Sequence, residues 1–169
     1  MNDAHLHIVV NHFPIIGTIF GIGILVTGLL LKNNSVKNTA YVLFIVAAIF
    51  GAFSIATGEG AEKIVEDFPN IGKAIIHEHE ELAEKLALVL YVMGGFSLFA
   101  LFLSFKKNSK EKLVSFFILG LGIASLFLIQ KAGTSGGEIR HTEIRDDSTV
   151  SASSNENSSV QKESKEDNE

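Results

Sequence analysis

Four apolar runs, each free of charged residues, alternate with short polar stretches through most of this chain. They cover residues 13–31, 39–57, 86–105 and 113–129, about 17 to 20 residues each. At about 1.5 Å of rise per residue, a helix of that length spans roughly 25 to 30 Å, the thickness of a bilayer's hydrocarbon core. None of the runs has the polar face that a helix on the surface of a soluble protein needs. The pattern predicts an all-α membrane four-helix bundle over residues 1–145, followed by a tail over 146–169. That tail is rich in Ser, Asn, Asp and Glu and too polar to bury a core, so it is expected to be disordered.

The connections set an expected orientation, because short loops rich in lysine stay on the cytoplasmic side. Residues 32–37 carry only positive charge, and residues 106–112 hold four lysines against one glutamate. Both loops are read as inside. The amino terminus, the acidic connection 58–84 and the carboxyl tail are then outside, in the bacterial inner membrane with a periplasmic outer face. The start Met1-Asn2-Asp3-Ala4 has no basic region, so the first helix is expected to be retained and not removed as a signal peptide. Within the outer connection, residues 61–68 place Ile64, Val65 and Phe68 on one side before a Pro69-Asn70 turn. This predicts a short amphipathic helix lying over the mouth of the bundle.

Composition narrows the chemistry. Nearly half of the residues are apolar, and the chain has no cysteine, which excludes disulfides, thiolate metal sites and covalent c-type haem attachment within it. A net charge of −5 argues against nucleic-acid binding. No Asp, Glu, Lys, Arg or His lies in the middle of a run, which disfavours an ion or proton transporter. Small residues at helix-packing spacing, Gly17 and Gly21, Ala47 and Gly51, Gly94 and Gly95, Gly120 and Ala124, predict close backbone approach. There is no nucleophile motif and no phosphate loop, so an electron-transfer or binding module is expected before a stand-alone enzyme.

All six histidines fall at the end of the bundle away from the lysine-rich loops: His5, His7 and His12 before the first run, His77 and His79 before the third, and His141 after the fourth. At about 100° per residue, Ile75, Ile76, His79, Leu82, Ala83 and Leu86 share one arc, and His77 projects to the opposite side with Glu81 and Glu84. His79 is therefore the expected inward ligand and His77 a solvated residue. Pro14 suits a first helical position, which would put His12 where helix one begins. The stretch Gly133-Thr-Ser-Gly136-Gly137 is expected to stop the fourth helix and turn His141 back over the mouth. Glu59 at the rim and Glu80 beside His79 are candidates to hydrogen-bond a ligating imidazole.

Taken in order, His7-x-x-x-x-His12-Phe13-Pro14, Thr57-Gly58-Glu59 with Ala61-Glu62, His79-Glu80-Glu81-Leu-Ala, and Gly136-Gly137 with His141 resemble the pattern of a bacterial four-helix membrane family catalogued as domain of unknown function 2231. The likeness covers residues 5–141. It departs at the His77/His79 pair and at His7-Ile8, where the family has His-Pro. Such domains occur joined to cytochrome c or Rieske-type segments, so the resemblance implies electron-transfer company.

Two function classes follow. In one, imidazoles among His7, His12, His79 and His141 ligate haem b near the outer surface, and the protein carries electrons between quinol and a periplasmic cytochrome or Rieske-type partner. In the other, the same histidines, with Glu59 or Glu80, hold a non-haem zinc or iron ion. A structural or partner-binding subunit without a cofactor is the third expectation. Membrane lipid is a partner in every case.

Overall fold

The computed structural model describes residues 2–66, 68 and 71–141, and the tail expected over 146–169 lies outside the described residues. The chain folds as four helices, α1 (Asp3–Leu30), α2 (Asn34–Val65), α3 (Lys73–Phe105) and α4 (Glu111–Arg140). Each contains one of the four apolar runs, and all four are long and apolar enough to cross a bilayer, which makes this a multi-pass membrane protein. Phe20, Leu30, Leu88, Leu98, Phe105 and Phe127 stand largely exposed on the outside of the bundle. Water penalises such a surface and lipid does not.

The helices run up and down in a ring. α1 packs on α2, α2 on α3, α3 on α4, and α4 closes back on α1 through the sparsest seam. They are 28 to 33 residues long, about 42 to 50 Å, and so exceed a hydrocarbon core of about 30 Å by several turns. Almost all of that surplus is at one end, because the apolar runs reach close to the two short loops and stop well before the opposite helix ends. The surplus turns carry five of the histidines, and His141 directly follows the last of them in α4.

Three boundaries differ from the sequence expectations, each for a packing reason. α1 begins at Asp3, where the Asn2 side chain accepts the His5 N–H at 2.9 Å, so Pro14 is buried inside the helix and His12 is not at its start. The amphipathic segment is helical but continues α2 without a break through Gly58 and Gly60 as far as Val65. α4 runs through Gly133, Gly136 and Gly137 to Arg140. Glycine can stop a helix by turning left-handed, yet no described glycine has a positive φ. Here several of them let helices touch: a Cβ on Gly60 would lie 2.8 Å from the Asp3 Cβ.

The turns that do end helices use lysine. Lys32 and Lys107 both have φ 51°. In each case the next residue's N–H reaches back five residues, Asn33 to the Gly28 carbonyl at 2.9 Å and Asn108 to the Leu103 carbonyl at 3.0 Å, and the lysine's own N–H bonds Leu29 or Ser104. This is the Schellman closure, which glycine normally makes. A non-glycine residue there costs about 1 to 2 kcal/mol, partly offset by a cation at a helix carboxyl end.

The core is a central layer of Leu25, Phe44, Leu90, Met93 and Ile118, all essentially buried. Gly21 faces Phe44, Gly17 faces Ala47, Gly51 faces Leu90 and Gly94 faces Ala48, as their spacing predicts. On α4 the packing glycine is Gly122, which lies against Ile22, whereas Gly95 and Gly120 face open space and Ala124 is exposed. At the loop end a charged pair is buried across the bundle. Lys37 Nζ of α2 meets Glu111 Oε2 of α4 at 2.5 Å, Tyr41 donates its hydroxyl to Glu111 Oε1 at 2.5 Å, and Ser115 completes the cluster. Lys37 and Glu111 are only 5% and 6% exposed, so lysine and glutamate read from the sequence as loop charges are core residues.

Removing one partner of such a pair strands the other in a dry site. Lys37→Ala or Glu111→Ala should each destabilise the solubilised protein by about 3 to 5 kcal/mol, and the double change Lys37→Met/Glu111→Leu by much less. Denaturant unfolding in mild detergent checks this, and two additive single losses would contradict it.

Candidate functional site

The histidine end of α1 continues the helix's buried stripe. His7, Asn11, Pro14, Thr18, Gly21, Leu25 and Gly28 recur at alternating steps of four and three, which keeps them on one face. Pro14 and Thr18 are buried and His7 and Asn11 half-buried. On α3 the arc read from the sequence is the packed one: Ile75, Ile76 and Leu86 are buried, and His79 sits among them. α1 and α3 are diagonal across the ring, so their inward stripes bring two imidazoles to the bundle axis. The ring centres of His7 and His79 are 6.5 Å apart, with planes at 87°.

The other two helices lock both rings. The Ser54 carbonyl on α2 lies 3.0 Å from His7 Nδ1, and Thr57 Oγ1 is 3.2 Å away. A carbonyl can only accept, so His7 carries its proton on Nδ1. His79 Nδ1 lies 3.1 Å from Ser135 Oγ on α4. Ser135 gives its one hydroxyl hydrogen to the Ala132 carbonyl at 3.2 Å, which leaves it to accept from His79. Both imidazoles therefore keep an unprotonated Nε2, the arrangement in which a backbone or hydroxyl oxygen on Nδ1 prepares the other nitrogen to ligate.

Glycine makes the space for these rings. A Cβ on Gly136 would lie 2.9 Å from His79 Cε1, and one on Gly58 would lie 3.7 Å from His7 Cε1. One turn below His7, Asn11 Oδ1 is buried without a hydrogen-bond partner, as is Thr18 Oγ1 further along the stripe.

Among the residues expected at the site, His7 and His79 are brought together and the others are not. His12 is exposed, and its Nδ1 donates to the Ile8 carbonyl of its own helix at 2.6 Å. It lies five residues from His7, about 140° round the helix. His141 is exposed at the end of α4, its backbone N–H on the Gly137 carbonyl, because the helix does not stop early and fold back. Glu59 is exposed, one residue past the glycine that faces His7. Glu80 is exposed and faces His77 at 3.8 Å, and His77 also meets Glu81 at 3.4 Å, the solvated face expected for it. Ser54, Asn11 and Ser135 went unread. Only Asn11 left a signal, at four residues from His7.

The donor set discriminates between metals. Among the described residues no group of three His, Asp or Glu side chains could hold an ion, and zinc or non-haem iron ordinarily takes three or four protein ligands. Haem iron brings its own equatorial nitrogens and needs only axial ligands. His7 and His79 offer two imidazoles with ring centres 6.5 Å apart. Compared with protein-family models, curated proteins and solved structures, the chain gives no match.

Both imidazoles lie outside the uncharged runs. Burial lowers the His7 pKa, opposed by the Ser54 carbonyl. Burial also lowers that of His79, followed by repulsion from His7, and the Ala132 carbonyl opposes. The folded chain therefore holds them neutral in a range where an unfolded histidine, with its pKa of about 6.5, takes up protons. The unfolded state binds more protons there, so stability is present above that range and is lost as pH falls through it. The melting temperature in detergent should fall from pH 8 to pH 5, and less steeply in His7→Gln/His79→Gln. An identical slope in that double variant would show that the pair stays out of the titration.

Proposed function

We propose that this chain is a membrane electron-transfer module in which His7 and His79 are the axial ligands of one b-type haem at the histidine end of the bundle. The observation that carries the reading is the pair itself. Two imidazoles from diagonal helices have ring centres 6.5 Å apart, and each Nδ1 is occupied by an oxygen from a different neighbouring helix. The haem would supply one-electron chemistry. The chain's own part is to hold each ring in one tautomer through Ser54 and Ser135, to make room for the rings themselves at Gly58 and Gly136, and to enclose their inner side with the apolar layer below.

The lysine-rich loops support an orientation with the histidine end outside, in the inner membrane of a bacterium and with both termini in the periplasm. In that orientation the site lies near the level of the headgroups, within reach of a quinol donor in the bilayer and of a periplasmic cytochrome or Rieske-type acceptor. The order of the histidine, glycine and glutamate motifs, and their likeness to a family found joined to such redox segments, supports the same reading.

The test is the visible spectrum of the full chain, purified in mild detergent from haem-supplemented cells, oxidised and then reduced with dithionite, alongside elemental analysis. A Soret band with sharp reduced α and β bands is expected. His7→Ala and His79→Ala should each abolish or shift them, whereas His12→Ala, His77→Ala and His141→Ala should leave them intact. Loss on removing His12 or His141 would defeat the ligand assignment. A colourless protein carrying zinc or iron would select a non-haem site, and one with neither haem nor metal a structural role.

A further inference from the structure

The two turns at the end opposite the histidines carry one sign of charge on their surface. Glu111, the one acidic residue in 32–37 and 106–112, is buried against Lys37. Lys32, Lys106, Lys107, Lys110 and Lys112 are all exposed, and among the described residues none of them pairs with a carboxylate. The histidine end differs, since its exposed Lys63, Lys73 and Lys85 are interspersed with exposed Glu59, Glu78, Glu80, Glu81 and Glu84. The lysine turns are also apolar on their membrane side. Leu30, Phe105 and Leu113 are the most exposed large apolar side chains among the described residues, and each stands within two positions of one of these lysines. Lys106 combines the two characters. Lysine stems ordinarily carry their charge away from hydrocarbon, yet Lys106 Nζ lies 5.9 Å from the centre of the Phe102 ring, one turn back into the apolar run. The α3–α4 turn is fixed in shape as well: the Asn108 N–H donates to the Leu103 carbonyl at 3.0 Å, and Asn108 Oδ1 accepts from the Lys110 N–H at 3.0 Å. Four lysines are thus presented by one short turn whose backbone has no ordering left to do on binding.

We propose that the α3–α4 turn binds an anionic phospholipid, with the phosphate among Lys106, Lys107, Lys110 and Lys112 and the acyl chains against Phe102, Phe105 and Leu113. Charge selects an anionic headgroup over a zwitterionic one, whose own cation the lysines repel and no neighbouring carboxylate welcomes. The exposed apolar flank selects a lipid over a soluble phosphate, which has the charge but brings no chain to cover Phe105 and Leu113. The burial of Glu111 is what makes the turn a site, because a carboxylate left on the surface there would neutralise one of the four lysines. The inference does not depend on what the imidazole pair holds.

Native mass spectrometry of the full chain in mild detergent, with phosphatidylglycerol and phosphatidylcholine of equal acyl chains at equal concentration, reads the preference directly. With two lysines on one phosphate, at about fivefold in affinity each, phosphatidylglycerol is expected to bind roughly 25-fold tighter. The preference should be lost in Lys106→Gln/Lys107→Gln/Lys110→Gln/Lys112→Gln and kept in Lys63→Gln/Lys73→Gln/Lys85→Gln/Lys131→Gln, which removes as many charges at the other end. Excess glycerol phosphate, the soluble headgroup, should not displace the lipid. Equal binding of the two lipids, equal loss in both variants, or displacement by glycerol phosphate overturns the proposal. A second measurement uses the unaltered chain in nanodiscs: acylation of Lys106, Lys107, Lys110 and Lys112 by an amine-reactive reagent should slow several-fold when phosphatidylcholine is replaced by phosphatidylglycerol, with Lys63, Lys73 and Lys85 little changed. Uniform slowing at both ends, or none at the α3–α4 turn, likewise overturns the site.

Discussion

The close contact of α1 with α2 is the constraint from which the rest of the arrangement follows. Along the seam, Gly17, Gly21 and Gly28 of α1 and Gly58 and Gly60 of α2 lie where a side chain would meet the partner, at Gly17, Gly28 and Gly60 its backbone or Cβ. Lipid cannot drive helices together by excluding water, so shape complementarity of this kind has to hold them. The contact extends beyond the apolar runs to the last turns, where Asp3 lies against Gly60. It keeps α1 helical upstream of Pro14 and brings His7 within hydrogen-bonding distance of Ser54.

The histidine site belongs to no single helix. Each imidazole is presented by one helix and fixed by a neighbour, and the two presenting helices do not pack extensively on each other. Small shifts between neighbouring helices would therefore loosen a ring before they broke the bundle. With Nδ1 of each ring held by an oxygen of a neighbouring helix, the two neutral imidazoles keep their Nε2 lone pairs free of protons.

Much of this was legible in the residues, and the remainder was hidden for identifiable reasons. The four spans came from charge-free length, and the choice of His79 over His77 came from the arc shared with Ile75, Ile76 and Leu86. His7 and His12 could not be separated in the same way, because Pro14 looked like a helix start and a helix starting there leaves upstream residues with no face. Gly58, Gly133 and Gly136 were ambiguous in principle. The same absent Cβ that permits a left-handed stop also permits contact with another helix, and only the partner decides. Lys37 and Glu111 carry no local sign of pairing, since their bond joins residues 74 positions apart. In sequence they are two charges in two loops.

That pair has a consequence for how the protein is made. Lys37 belongs to the hairpin α1–α2 and Glu111 to the hairpin α3–α4, and so do His7 and His79 respectively. Each hairpin holds one member of the charged pair, which is buried only when the two hairpins dock. Docking satisfies the ion pair at one end and assembles the imidazole pair at the other in a single event. An undocked hairpin is left with an unmatched charge at one end and, at the other, only half of the imidazole pair.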